Sequence, residues 1–498
     1  MAGRHRTVHR RFDVADEFEL PAALAVGGPD AMDLSDLVLV TTDWDTPDGR
    51  LAAWGHRLRH RQSSDGSERR WILSIRSGAA SNGSGPPIIE VVREGPPTAP
   101  PSGLTQLVIG TTRGEELVPV VVVTTHRSRR ILRRGRVELA DEQISVRTPD
   151  DGAPQWLRQI QLRPIQQHAE RDLRRVGRVL LDGGAEPAAR SEPGRPTTIS
   201  RPAIELRADS DVGTIARAAV VRGVHRLRTN EPLARLDDQI EAIHQCRVAT
   251  RGLRSDLASL GPVLDAAWAG QLRQELRWIA EPIGAVRDLD VLAARIDARR
   301  QQLGSSDELA VSALVDAVRR QRRRRHQELL TELDSERYLR LLEDLANAER
   351  SVPLDPEVSA TALGEPLLRR MTATAWKRAV RTAHHLGDEP DPADLHALRK
   401  RVKRTRAAAR LATPVIGAEA RRFAKRLATL QHVLGDLNDS VVTSRWLEAE
   451  APELDPGPVA FVAGRIAEQE TRHAERLQDE WRTVWDEVRT PHLTRWLE

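Results

Sequence analysis

The chain has 498 residues, 40% of them hydrophobic, which is enough apolar material for genuine cores in two or three domains. Its single cysteine, Cys246, excludes an internal disulfide, and no stretch approaches the ~18 apolar residues of a membrane helix. The basic N-terminus lacks the apolar run of a signal peptide, so the expected setting is soluble and cytoplasmic, with no membrane partner.

The net charge of +4 understates the polarity, because 76 Lys and Arg stand against 72 acids and their distribution is uneven. The four lysines, Lys377, Lys400, Lys403 and Lys425, all lie in the last third, and every other side-chain cation apart from histidine is arginine. Arginine suits bidentate contacts to phosphate or carboxylate.

In chain order, residues 36–43, 71–78, 88–94, 117–132, 135–148 and 157–164 are β-rich runs separated by turn residues, and predict strands. The Gly/Pro/Ser-rich segments 78–87 and 94–103 predict loops. Residues 166–184 predict a helix that stops at its glycines, and the Pro/Ser/Arg-rich stretch 184–202 predicts a linker. A β-rich domain is therefore expected over 1–183. From 203 to 498 the period changes to helical, and an all-α domain is expected.

The helical half repeats. His244, Arg247, Arg251 and Arg254 recur as His396, Arg399, Lys403 and Arg406, a histidine followed by cations at +3, +7 and +10. Gly284 lies 40 residues after His244, Gly435 lies 39 after His396, and an Asp (Asp288, Asp439) follows each glycine four residues on. Two motifs in register predict a duplication, with repeats near 203–345 and 362–498.

On a helix the four positions of each set share an arc of about 80°. Cys246, Leu253 and Leu257 in the first repeat, and Leu398, Val402 and Ala409 in the second, occupy the opposite face. Like charges at i, i+4 repel by ~0.2–0.5 kcal/mol per pair. A helix needing only solubility would interleave Glu, unless tertiary acids such as Asp288 and Asp439 neutralise the stripe. Steps of about 4.5, 6 and 4.5 Å along the axis suit a row of anions. His244 and His396 can donate to phosphate oxygen. Arg322, Arg325, Arg378 and Lys425, in further basic runs, are candidate extensions of the surface. Nucleic acid is a second class of polyanion, but single-strand binders stack bases on aromatics, which are 3% here and absent from both stripes. No Walker loop, HExxH, CxxC or G-x-S-x-G is present, so no cofactor, metal or catalytic residue is assigned.

The segments "HQCRVATRGLRSDL", "LRWIAEPIGAVRDLDVL", "LHALRKRVKRTR" and "LQHVLGDLNDSVV" resemble the CHAD domain, a helical family named for its histidines. The resemblance spans about 300 residues. It implies two duplicated four-helix bundles, binding of inorganic polyphosphate through the two stripes, and association with polyphosphate granules. One departure is Ala407, where this family often has Tyr. The N-terminal segment is similar to the CYTH domain, an antiparallel triphosphate-tunnel β-barrel that often precedes CHAD. That resemblance implies a metal-dependent triphosphate hydrolase or cyclase, with paired carboxylates holding Mg²⁺ or Mn²⁺. Here Thr7, His9 and Arg11 occupy the place of the opening acidic strand, and Gln159 and Gln161 stand where later carboxylates belong. A neutral Gln gives a hard cation no charge. The expectation is a degenerate, non-catalytic domain in which Arg11, Arg57, Arg59 and Arg76 line a basic channel.

Overall fold

The computed structural model describes residues 10–22, 24, 32–76, 88–132, 135–148, 153–166, 169–188, 204–387, 390–454 and 457–498. The chain divides into two compact units, Met1–Ser200 and Arg201–Glu498.

The first unit is built on one antiparallel sheet. Its strands are β1 (Arg10–Val14), β2 (Met32–Asp33), β3 (Leu37–Asp45), β4 (Arg57–Ser63), β5 (Arg69–Arg76), β6 (Ile88–Arg93), β7 (Val118–Leu132), β8 (Val137–Arg147), β9 (Gln155–Pro164) and β10 (Glu186–Pro187). They run in the order β10-β1-β9-β8-β7-β3-β4-β5-β6, with β2 paired to β7. Among the described residues three helices accompany them: α1 (Arg50–Ala53), α2 (Ser102–Thr112) and α3 (Glu170–Asp182). Alternation explains the layering. Phe12, Leu139, Ile160 and Leu162 share a core with Leu173, Val176 and Leu180 of α3. Gly177 lets that helix approach, since a Cβ there would lie 3.1 Å from the Phe12 ring.

Several elements differ from expectation, the short β2 and α1 among them. Strand β4 was hidden by its basic sequence, RLRHRQS, and α2 begins inside the stretch expected to be loop. The expected linker also starts too early: Glu186–Pro187 extend the sheet by pairing with Phe12 and Asp13 of β1. The rest of that stretch, from 189, lies outside the described residues.

The second unit is helical throughout. Helices α4 (Val212–Ala234), α5 (Ile240–Ser259), α6 (Ala266–Ala298), α7 (Glu308–Leu333) and α8 (Glu336–Arg350) make the first repeat. Helices α9 (Gly364–His384), α10 (Pro392–Ile416), α11 (Ala418–Leu454), α12 (Pro458–Val488) and α13 (Pro491–Thr494) make the second. Several starts are side-chain capped: Asp211, Asp265, Ser335 and Asp391 each accept a bond from the backbone N–H three residues on.

The repeats associate like with like. Helix α4 touches α9, α5 touches α10, α6 touches α11 and α7 touches α12. Residues Asp211 and Leu363, just before α4 and α9, form a β-bridge. Such self-matching contacts mark a pseudo-two-fold relation. One apolar cluster crosses the junction, joining Ile296, Leu314 and Val318 to Leu447, Val462 and Ile466. Because α5 and α10 are the paired helices, the two stripes are brought together.

Candidate anion-binding cleft

Each stripe helix is fastened by its opposite face. Cys246, Leu253 and Leu257 on α5, and Leu398, Val402 and Ala409 on α10, are buried. The polar side then faces the groove where the repeats meet. His244, Arg247, Arg251, His396, Arg399 and Arg406 all line one cleft of about 830 Å³. Arg251, Arg254 and Lys403 line an adjoining cleft of about 1170 Å³. Arg251 belongs to both, so the clefts share a wall. All eight stripe residues reach one or the other.

One of the repeated glycines has a geometric reason. Arg247 crosses over Gly284, donating from Nη1 to its carbonyl at 2.7 Å, and a Cβ there would stand 3.1 Å from that nitrogen; Arg399 lies beside Gly435, but a Cβ there would meet its Nη2 at an ordinary 3.6 Å. The repeated acid serves differently in each copy. Asp288 pairs with Arg247 at 2.9 Å. In the second copy Asn438, beside Asp439, meets the His396 Nδ1 at 3.0 Å, and Arg406 donates to Gln431 at 3.1 Å.

Neutralisation is therefore partial. Among the described residues, Arg251, Arg254, Arg399 and Lys403 have no ion-pair partner. Burial, followed by the Arg251 and Arg399 guanidinium groups, brings the Lys403 ammonium down to about 7. Burial and then Arg247 and Arg399 bring Arg251 down to about 10. Burial, then Arg287, lowers the His244 imidazole. Cations of both repeats thus destabilise one another across the groove.

The four additional candidates separate. Arg322 is corrected: it is buried and pairs with Asp290 at 2.6 Å and with Asp237, a structural role inside the first repeat. Arg325 is exposed and pairs with Glu328 of its own helix at 2.8 Å. Arg378 is exposed on α9 and lines a further cleft. Lys425 is exposed on α11 and does not line these clefts. Several wall residues were not foreseen, notably Arg273 and Arg277 of α6 and Arg337 of α8.

In the sheet unit, Thr7 and His9 lie outside the described residues. Gln159 and Gln161 are buried and sit opposite Asp13 and Arg11 of β1. Gln159 donates to Asp13 at 2.6 Å, Arg163 donates to Gln161 at 3.0 Å, and Arg127 pairs with Glu142 at 2.6 Å. The two acids beside the glutamines are thus already engaged. Burial lowers Arg61 against the opposing pull of Glu68, with smaller contributions in the same direction as burial from Arg59, Arg127 and Arg163. Among the described residues no three His, Cys, Asp or Glu side chains cluster as a metal requires. This donor set does not fit Mg²⁺ or Mn²⁺. Arg57 and Arg59 are paired with Asp43 and Glu90 at 2.6 and 3.4 Å.

Residues 218–448 match the CHAD domain model. A Mycobacterium tuberculosis (strain ATCC 25618 / H37Rv) protein, the uncharacterized protein Rv2226, is 28% identical over 507 residues, covering 96% of this chain and 95% of its own. Similar solved structures include PptA from Streptomyces chartreusis, 20% identical, TM-score 0.47, covering 56% of this chain and 100% of that one. The crystal structure of the CHAD domain from the plant Ricinus communis is 26% identical, TM-score 0.46, covering 57% and 94%. The putative adenylyl cyclase HpAC1 from Hippeastrum, described as having a dominant triphosphatase activity, is 16% identical, TM-score 0.24, covering 37% and 92%. No helix among the described residues is long and apolar enough to cross a membrane.

Proposed function

We propose, from the match of residues 218–448 to the CHAD domain model, that the helical unit of this chain binds inorganic polyphosphate without catalysis and without a divalent metal. The observation that carries this reading is the convergence of both stripes on adjoining clefts, where burial and then neighbouring guanidinium groups from both repeats push Arg251 and Lys403 down. A polyanion neutralises such a site, whereas a single anion reaches only part of it. Polyphosphate has the closely spaced charges that the stripe steps match, and needs no stacking platform. Binding of this kind also provides a means of association with polyphosphate granules.

Nucleic acid is the competing polyanion. The cleft walls carry one indole, Trp278, whose ring is already covered by the Arg337 guanidinium at 4.2 Å. That leaves little of the aromatic surface that single-strand binding uses.

The experiment is a salt-titrated binding assay of the full-length protein with long-chain polyphosphate, tripolyphosphate and single-stranded RNA, in the presence of a chelator. The expected result is tightest binding to long polyphosphate, unaffected by the chelator and falling steeply with salt through counterion release. An absolute Mg²⁺ requirement, or a preference for RNA, contradicts the reading.

A further inference from the structure

We infer that the anion track continues beyond the two stripes into a third cleft walled by α9, and that its ligand is a phosphate chain long enough to span all three clefts. This rests on the polyphosphate reading and adds to it a chain-length requirement and a set of far-end contacts.

Helix α5 is the common wall. Its first turns, at His244 and Arg247, line the first cleft; Arg251 is shared by the first and second; Arg254 lines the second. Ser255 and Ala258 are shared by the second and a third cleft, of about 460 Å³, which reaches Pro262. From His244 to Ala258 the helix rises about 21 Å. Helix α6 runs alongside in the opposite sense: Asp288 and Arg295 are at the first cleft, Arg277 at the second, and Arg273 at both the second and third. The clefts are therefore consecutive parts of one groove.

Charge changes along it. The first cleft includes Asp288, Asp436 and Asp439 among its cations. The second includes one acid, Glu281. The third has Arg273, Arg370, Arg378, Arg401 and Arg404 and no acid in its wall. Leaving histidine aside, cations exceed acids by three in the first cleft, seven in the second and five in the third, so both clefts away from the histidines carry a larger positive excess than the first. Arg370 and Arg378 are both exposed on α9 and rise about 12 Å apart, again the layout of a row of anions. A ligand confined to the stripes would leave this end unneutralised, and a triphosphate is too short to bridge from the first cleft to the third.

The test uses the full-length protein with tripolyphosphate and long-chain polyphosphate as probes. Arg370→Ala/Arg378→Ala removes two third-cleft charges from an exposed helix face, and circular dichroism checks that the fold is retained. Long-chain affinity is expected to fall roughly tenfold, because contacts along one chain reinforce each other, while tripolyphosphate affinity stays unchanged. The slope of log affinity against log salt should become shallower by about one to two for the long chain. By contrast, Arg251→Ala/Arg254→Ala should weaken both ligands. Should the α9 variant be poorly folded, the single change Arg378→Ala gives the same contrast with a smaller loss. Unchanged long-chain affinity in a folded α9 variant overturns the inference, as does an equal loss for both ligands. If the wild-type protein binds neither ligand, the polyphosphate reading falls first and this extension with it.

Discussion

Lys403 is the side chain most affected by the gathering of cations. Its ammonium titrates at about 7 in the folded chain against an ordinary 10.5, with burial the larger cause and Arg251 and Arg399 next. Between those values the unfolded chain binds more protons than the folded one, so stability rises with pH across that window. The penalty from Lys403 is complete below about pH 7 and vanishes toward 10.5. A bound polyanion favours the charged form, so binding takes up a proton as the pH rises above 7. Polyphosphate affinity is therefore expected to decline with pH from about 7 upward, and Lys403→Arg, which keeps its charge, should flatten the profile. Calorimetry in buffers of different ionisation enthalpy measures the proton directly. The two glycines make a second residue-scale contrast. Ala in place of Gly gains ~0.8–1 kcal/mol inside a helix. A Cβ at Gly435 would meet Arg399 at an ordinary 3.6 Å, but at Gly284 it would stand 3.1 Å from the Arg247 Nη1 that bonds the same backbone. Gly435→Ala is expected to raise the melting temperature, and Gly284→Ala to raise it less or lower it.

At the scale of elements, the stripes work together because α6 and α11 are locked across the junction of the repeats. Arg295 of α6 bonds Ser440 at 2.6 Å and pairs with Asp436 and Glu470, while Arg299 adds a contact to Glu470 at 2.7 Å and His473 meets Asp436 at 2.8 Å. Glu470 is buried, so Arg295→Ala leaves its charge short of a partner and should destabilise the protein by about 3 kcal/mol, measurable by urea unfolding. Burial alone would raise the Asp436 and Glu470 carboxyls, but the bonds and charge of Arg295, together with His473 at Asp436 and Arg299 at Glu470, more than offset it and both are lowered. Their contribution is present above the ordinary carboxylate range and is lost as pH falls through the lowered values. The stripe helices were legible in the sequence because a 3.6-residue period with its cations on one arc was written twice. The walls facing them were not: Arg273 and Arg277 lie on an exposed stretch of α6 interleaved with Glu275 and Glu281, which reads as an ordinary solvated face. Arg322 was misread for a related reason, since in a run of consecutive arginines nothing local distinguishes the one that turns inward to Asp290. Helix α2 was missed because its apolar residues follow a Pro-rich stretch and give little helical period.

For the whole molecule, the chain joins a sheet unit whose neutral glutamines and engaged acids do not suit a divalent cation to a helical unit with a cationic groove that is only partly neutralised. The full-length protein is expected to show negligible Mg²⁺- or Mn²⁺-dependent phosphate release from tripolyphosphate. Robust metal-dependent turnover, removed by Glu142→Gln, contradicts that account of the sheet. The central claim concerns the groove, namely that equivalent residues of both repeats serve one polyanion. The most direct measurement is the affinity of the full-length protein for long-chain polyphosphate in wild type, Arg251→Ala/Arg254→Ala and Lys403→Ala/Arg406→Ala, each with its circular dichroism spectrum. Each pair removes charge-assisted contacts worth roughly 1.5–3 kcal/mol apiece when buried and less when exposed, so a loss of at least about tenfold is predicted from either repeat alone. Helix content should be unchanged, because Ala is the best helix former and the apolar faces at Leu253 and Leu398 are untouched. Undiminished affinity in both folded variants would contradict the account, leaving the stripes as solvated helix faces and the binding site elsewhere.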